Sequence, residues 1–238
     1  MAGHSKWKTI KHKKAALDAK RGKSFTRLIK EITVVARDGG GDPDGNPRLR
    51  TLMDKAKQIN MPNENVIRAI KKGTGELPGL SYESVMYEGY GPGGIAILVD
   101  TLTDNKNRTV SDMRHQFSKK GGNLGESGSV GWMFEKKGAL TFKAPNKTED
   151  DLLELLLDYD ISDIKTDDDL FTVYCDIKAL EPIKKALQDT GIIVEHAELD
   201  YVAKNNISLD DAESEKALAL LEILDDHDDV QNVYTNLA

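Results

Sequence analysis

Residues 1–30 carry ten cationic side chains, Lys6, Lys8, Lys11, Lys13, Lys14, Lys20, Arg21, Lys23, Arg27 and Lys30, against the single acid Asp18. Cations at this density, with His12 among them, neutralise a phosphate backbone and release its counterions, while Trp7 and Phe25 interleave rings on which an unpaired base can stack. A solvated helix is also charged, but it usually mixes signs at i,i+4 spacing, and this stretch does not. The chemistry on offer is phosphate binding. Trp7 fits two roles there, a stacking ring or an anchor that docks the arm on the helices that follow. Arg48, Arg50, Arg68, Lys71 and Lys72 can extend the basic surface. A second polar surface is spelled by Asn105, Asn107, Arg108, Arg114, Lys119 and Lys120. Its first part reads as helix capping. The glycine-rich run Gly121–Ser129 that follows reads either as a turn whose amides receive an anion or as a plain helix-to-strand loop.

Catalytic patterns occur by letter and fail by context. Gly89-Tyr90-Gly91-Pro92-Gly93-Gly94 satisfies G-x-G-x-x-G but precedes a strand, so no helix N-terminus faces a pyrophosphate. Gly22-Lys23-Ser24 resembles the end of a P-loop, yet Leu17 stands where its first glycine belongs. The five histidines are scattered without metal-ligand spacing, and Cys175 is the only cysteine. Asp42-Pro43-Asp44-Gly45-Asn46 starts like a calcium loop, but Pro47 replaces the turn glycine and Met53 the bidentate Glu. The clusters Asp167-Asp168-Asp169 and Asp225-Asp226-His227-Asp228-Asp229 read as solvated acidic turns. No catalytic residue, metal site or cofactor is expected, and no small-molecule substrate.

The composition agrees once it is divided along the chain. The 238 residues have a formal net charge of −7. Residues 1–80 stand at +10, residues 81–144 at +1 and residues 145–238 at −18. The total therefore averages a basic front and an acidic back. A single cysteine, no apolar run of membrane-spanning length and no secretory leader point to a cytoplasmic protein without a membrane partner.

The elements that must position these residues follow from periodicity. Phe25, Leu28, Ile29, Ile32, Val35 and Ala36 recur at helical spacing, and two further helices start near Pro47 and Pro62, the last ending at Gly73. Beyond a Gly/Pro linker at 73–79 come a strand at 95–99, a helix at 107–119 and a strand at 129–135. Residues 139–202 then read β-α-β-β-α-β, the split βαβ pattern. A final helix after Ser208 and a strand at 230–234 cannot bury their apolar stripe alone. The expected fold is α+β: an N-terminal three-helix module followed by two α/β, ferredoxin-like domains, one inserted in the other. Its domains are a basic helical domain with its arm at 1–80, a discontinuous domain at 81–137 plus 205–238, and an acidic insert at 138–204.

Several motifs together resemble one family. They are Gly3-His4-Ser5-Lys6-Trp7, Ile10-Lys11-His12-Lys13, Asp18-Ala19-Lys20-Arg21-Gly22-Lys23, Gly39-Gly40-Gly41-Asp42-Pro43, Asn46-Pro47-Arg48-Leu49, Met61-Pro62 with Lys71-Lys72-Gly73-Thr74-Gly75, Tyr87–Gly94 and Gly121–Val130. As a set they look like the YebC family, over about residues 2–137. The resemblance implies a three-domain, non-enzymatic cytosolic protein with one α/β domain inserted in another. It also implies a regulator of gene expression. Bacterial members are described as probable transcriptional regulators that bind DNA. The related mitochondrial translational activator of cytochrome oxidase subunit I, and a translation-factor role proposed for bacterial members, imply instead ribosomal RNA in the ribosome and relief of stalled elongation. No unambiguous helix-turn-helix is present to decide, since Asn63, Glu64 and Asn65 at the start of the third helix are a poor base-reading set.

Overall fold

Apolar residues four, seven and eight positions apart build helix α1 (Arg21–Gly39), which buries Leu28, Ile32, Val35 and Ala36. The computed structural model describes Trp7 and residues 21–167 and 169–238, without the side chains of Arg21 and Asp167. Helices α2 (Pro47–Gln58) and α3 (Asn63–Gly73) close a small core with α1, in which Leu49, Leu52, Ala56, Met61, Val66 and Ala69 meet the buried face of α1. One side chain joins the first two helices. Asn46 Oδ1 accepts the Leu49 amide at 3.1 Å as the α2 N-cap, while its Nδ2 donates to the carbonyls of Val35 at 3.1 Å and Gly40 at 2.9 Å. It thus satisfies orphan groups at the end of one helix and the start of the next. Gly73 permits the closest approach of α3 to α1, because a Cβ there would lie 2.8 Å from that of Ala36.

The first sheet has strand order β3-β1-β2-β8, all antiparallel, with β1 at Glu83–Tyr90, β2 at Ala96–Thr103, β3 at Asn123–Leu124 and β8 at Val230–Thr235. Strand β8 returns to pair Ile97 with Thr235 and Val99 with Val233. Helix α4 (Lys106–Lys119) packs on β1 and β3, and helix α7 (Asp211–Asp225) packs on β8 and α4. Met113, Phe117, Leu220, Leu221 and Leu224 are buried together with Ile97 and Val99. The G-x-G-x-x-G letters form the β1–β2 turn, where Gly93 takes a left-handed φ of +68°.

The second sheet, order β5-β6-β4-β7, follows from β4 (Phe134–Lys143), α5 (Glu149–Leu155), β5 (Ile161–Asp167), β6 (Leu170–Cys175), α6 (Leu180–Asp189) and β7 (Val194–Ala203). This is the split βαβ arrangement, with both helices contributing to a core around Leu140, Phe142, Leu152, Phe171, Val173, Ile183 and Leu187. The expected strand at 129–135 is not one. Gly131–Met133 make a 3-10 turn and β4 begins at Phe134.

The described chain forms two compact units, residues 21–131 with 209–235, and Trp7 with 132–208 and 236–238. The architecture is α+β, with a helical module followed by two antiparallel sheets, the second inserted within the first. Among the described residues no helix is long and apolar enough to cross a membrane.

Candidate nucleic-acid interface

Lys6, Lys8, Lys11, His12, Lys13, Lys14 and Lys20, and the side chain of Arg21, lie outside the described residues. Trp7 is described and only 3 % exposed, so its ring is not open to a base in the folded chain.

Lys23, Arg27 and Lys30 share one face of α1, and that face is not open either. The turn between α7 and β8 supplies its counter-charges. Lys23 Nζ donates to the Asp225 carbonyl and to Asp226 Oδ1 at 3.2 Å. Arg27 Nη2 donates to the same carbonyl and to Asp225 Oδ1 at 3.1 Å. Lys30 Nζ reaches deepest, to Asp229 Oδ1 at 2.8 Å and the carbonyls of Asp228 at 2.9 Å and Leu102 at 3.3 Å. The acidic turn read as solvated is therefore the partner of the basic helix. Nothing local in either segment signals it, because the two lie about two hundred residues apart.

Asp229 is the centre of this contact. Its Oδ2 accepts from Arg108 Nη2 and Thr109 Oγ1, both at 2.8 Å, and from Thr103 Oγ1 at 3.3 Å. Burial pushes its carboxyl up, but the Lys30, Arg108 and Thr109 hydrogen bonds more than reverse this and hold it well below the usual carboxylate range. The Asp229 amide donates to His227 Nδ1 at 3.1 Å, which leaves the proton on Nε2, 3.4 Å from Asp112. At the outer end the balance differs. Burial and the neighbouring Arg27 keep the Lys23 ammonium below the ordinary lysine value in spite of Asp226 and Asp225.

The second polar surface divides in the same way. Asn105 caps α4 by accepting the Arg108 amide at 3.1 Å, and Arg108 bridges Asp104 at 2.7 Å and Asp229. Asn107, Arg114 and Lys119 are exposed and Lys120 is half-exposed. The glycine-rich turn does receive an anion, but it is the chain's own. Glu88, 8 % exposed on β1, accepts the amides of Gly128 at 2.7 Å, Val130 at 2.8 Å and Gly131 at 2.6 Å. Burial raises the Glu88 carboxyl, and the three N–H donors outweigh it and leave it below its ordinary value.

Five cations of the helical module, Arg48, Lys55, Arg68, Lys71 and Lys72, are exposed and make no ion pair among the described residues. Arg50 instead holds the preceding loop through the carbonyls of Pro43 and Asp44. Cys175 is fully buried on β6, with its thiol pushed up to about 11 by burial and by Asp176 and Asp160, which leaves it protonated and unreactive.

Residues 5–76 match the family description "TACO1/YebC protein N-terminal domain", and residues 82–237 match "TACO1/YebC second and third domain". A probable transcriptional regulatory protein of Chlorobaculum tepidum is 56 % identical over 238 residues, which is 100 % of this chain and 95 % of that one. One of Desulfosudis oleivorans is 54 % identical over 236 residues, 99 % of this chain and 96 % of the other. The crystal structure of a conserved hypothetical protein, Aq1575 from Aquifex aeolicus, aligns with a TM-score of 0.85 at 43 % identity, covering 94 % of this chain and 93 % of that one.

Proposed function

Because the chain belongs to the TACO1/YebC family, we propose that it is a non-enzymatic regulator of gene expression that binds nucleic acid, duplex DNA first, through its basic N-terminal segment. The observation that carries this reading is the density of positive charge in residues 1–30, ten Lys and Arg against one acid. Curated relatives that match over the whole chain are named probable transcriptional regulatory proteins, and that name favours DNA as the polymer. Three of the ten cations are engaged inside the fold, so the phosphate contacts fall to Lys6, Lys8, Lys11, Lys13, Lys14, Lys20 and Arg21, with Arg48, Lys55, Arg68, Lys71 and Lys72 as a second cationic surface on the helical module. Phosphate contacts set register and orientation without reading sequence, so a selective target must come from other groups or from the shape of the nucleic acid.

In-cell crosslinking with sequencing of both DNA and RNA tests the proposal. Recovery of discrete promoter DNA, lost in a Lys11→Glu/Lys13→Glu/Lys14→Glu variant, is the expected result. Recovery of ribosomal RNA alone would replace transcription by translation as the regulated step, and recovery of neither polymer would overturn the reading.

A further inference from the structure

The contact between α1 and the α7–β8 turn has two ends of different character. At the inner end Lys30 and Asp229 have side chains only 9 % and 4 % exposed, and Arg108, Thr103 and Thr109 complete the carboxylate. Such a pair is shielded from added salt and does not open cheaply. At the outer end, next to the arm, Lys23 and Arg27 are each 19 % exposed and Asp226 is 57 % exposed. Asp226 is the group open to water and ions there, and the Asp225 side chain beneath it is 8 % exposed. Carboxylate and carbonyl oxygens of Asp225 and Asp226 are presented there to two cations one helical turn apart, much as a phosphate backbone would present its own oxygens. Burial and the neighbouring Arg27 outweigh the two acids there and leave the Lys23 ammonium below the ordinary lysine value. The helical module keeps its own apolar core, and α1 holds this turn through hydrogen bonds and ion pairs.

Resting on the nucleic-acid reading above, we infer that Asp225 and Asp226 form an autoinhibitory contact, occupying Lys23 and Arg27 in place of phosphate, while the Lys30–Asp229 pair remains as a fixed anchor. The two outer cations continue the line of the basic arm directly, since Lys20 and Arg21 precede them in sequence. Phosphate drawn to the arm meets them next and must displace the two acids to use them. Affinity is thereby limited by an internal competitor, and two cations stay out of the phosphate count until it is released.

The test uses the full-length chain, a fluorescent duplex DNA of about two helical turns, and titrations across 50–300 mM salt. Asp226→Asn removes the carboxylate that faces Lys23, and the Asp225→Asn/Asp226→Asn double variant removes both carboxylates, so that only the Asp225 carbonyl and neutral amides compete with phosphate for the two cations. Each cation that phosphate then takes over steepens the fall of log K with log salt by about 0.9, so the double variant is steeper by about 1.8 and binds about tenfold more tightly at the low-salt end. Asp228→Asn is the control. It removes an equal charge from the same exposed turn, but the Asp228 carboxylate pairs with nothing among the described residues, so its slope and affinity stay with the parent. A thermal melt matching the parent confirms that each variant is folded. Equal slopes for parent and double variant, or an Asp228→Asn gain as large as that of Asp226→Asn, would overturn the autoinhibitory contact and leave the nucleic-acid reading standing. Binding by none of the proteins would overturn both.

Discussion

Lys30 and Asp229 stand 199 positions apart in the chain and meet at 2.8 Å with both side chains buried. The ring of Tyr82 lies 5.4 Å from the same ammonium. Through this pair the helical module is tied to the last strand of the first sheet, and the basic front of the sequence meets its acidic back inside one unit. Burying two charges is tolerable here because all three Lys30 protons and both Asp229 carboxylate oxygens have partners, and the loss of one member leaves the other uncompensated.

Asp229→Asn is accordingly expected to destabilise the protein by about 3–5 kcal/mol at pH 7, the cost of breaking a buried pair. The sign with pH follows from the depressed folded-state pKa of the carboxyl. Its contribution is complete above the unfolded value near 4 and drains as pH falls through the folded value, because only the unfolded chain protonates easily in between. The gap between the urea midpoints of parent and variant is therefore full at pH 7 and has begun to narrow at pH 3. A gap that is the same at both pH values would contradict this role.

Glu88→Gln tests the turn that the carboxylate organises. Three amides now converge on one buried anion, and a neutral side chain with a single acceptor oxygen leaves at least one of them unsatisfied. The expected cost is about 2–3 kcal/mol, with hydrogen exchange at Gly128, Val130 and Gly131 rising well above that of neighbouring strand amides. Unchanged exchange at those three positions would show that the turn holds its shape without the carboxylate.

Asn46→Ala removes the α2 cap and both bonds to the end of α1. A loss of about 2 kcal/mol is expected, more than for an isolated cap, because the carbonyls of Val35 and Gly40 lose this donor as well. Asn46→Asp keeps the cap and removes the donor, so thermal melts of the two variants separate the contributions.

The fold class was legible because apolar spacing alone carries it. The i, i+4, i+7 run from Leu28 places α1, and the β-α-β-β-α-β order of the insert follows from alternating periods. Strand β1 was missed for a physical reason. Glu88 sits at a buried strand position, where a carboxylate breaks the apolar pattern, and only the distant amides of residues 128–131 explain why it is tolerated. The glycine-rich run reads either as an anion site or as a plain loop, and the anion its end receives, with the amides of Val130 and Gly131, comes from the same chain. The spacing of Lys23, Arg27 and Lys30 on one face was visible, as was the acidic run 225–229, but nothing in either segment says that the two face each other. Charge segregation along a sequence shows where opposite surfaces are, and folding decides how much of each is left for a partner.

The claim that the basic segment holds nucleic acid is tested most directly by the salt dependence of binding, measured by fluorescence anisotropy on the full-length chain and on its Lys11→Glu/Lys13→Glu/Lys14→Glu variant. With about six duplex phosphates contacted, log K should fall with log salt at a slope near −5, and removing three contacts should reduce its magnitude by about 2.7, with affinity falling sharply at low salt. Equal affinity and equal slope for the two proteins, or no binding of duplex DNA or ribosomal RNA at 50 mM salt, would contradict the account.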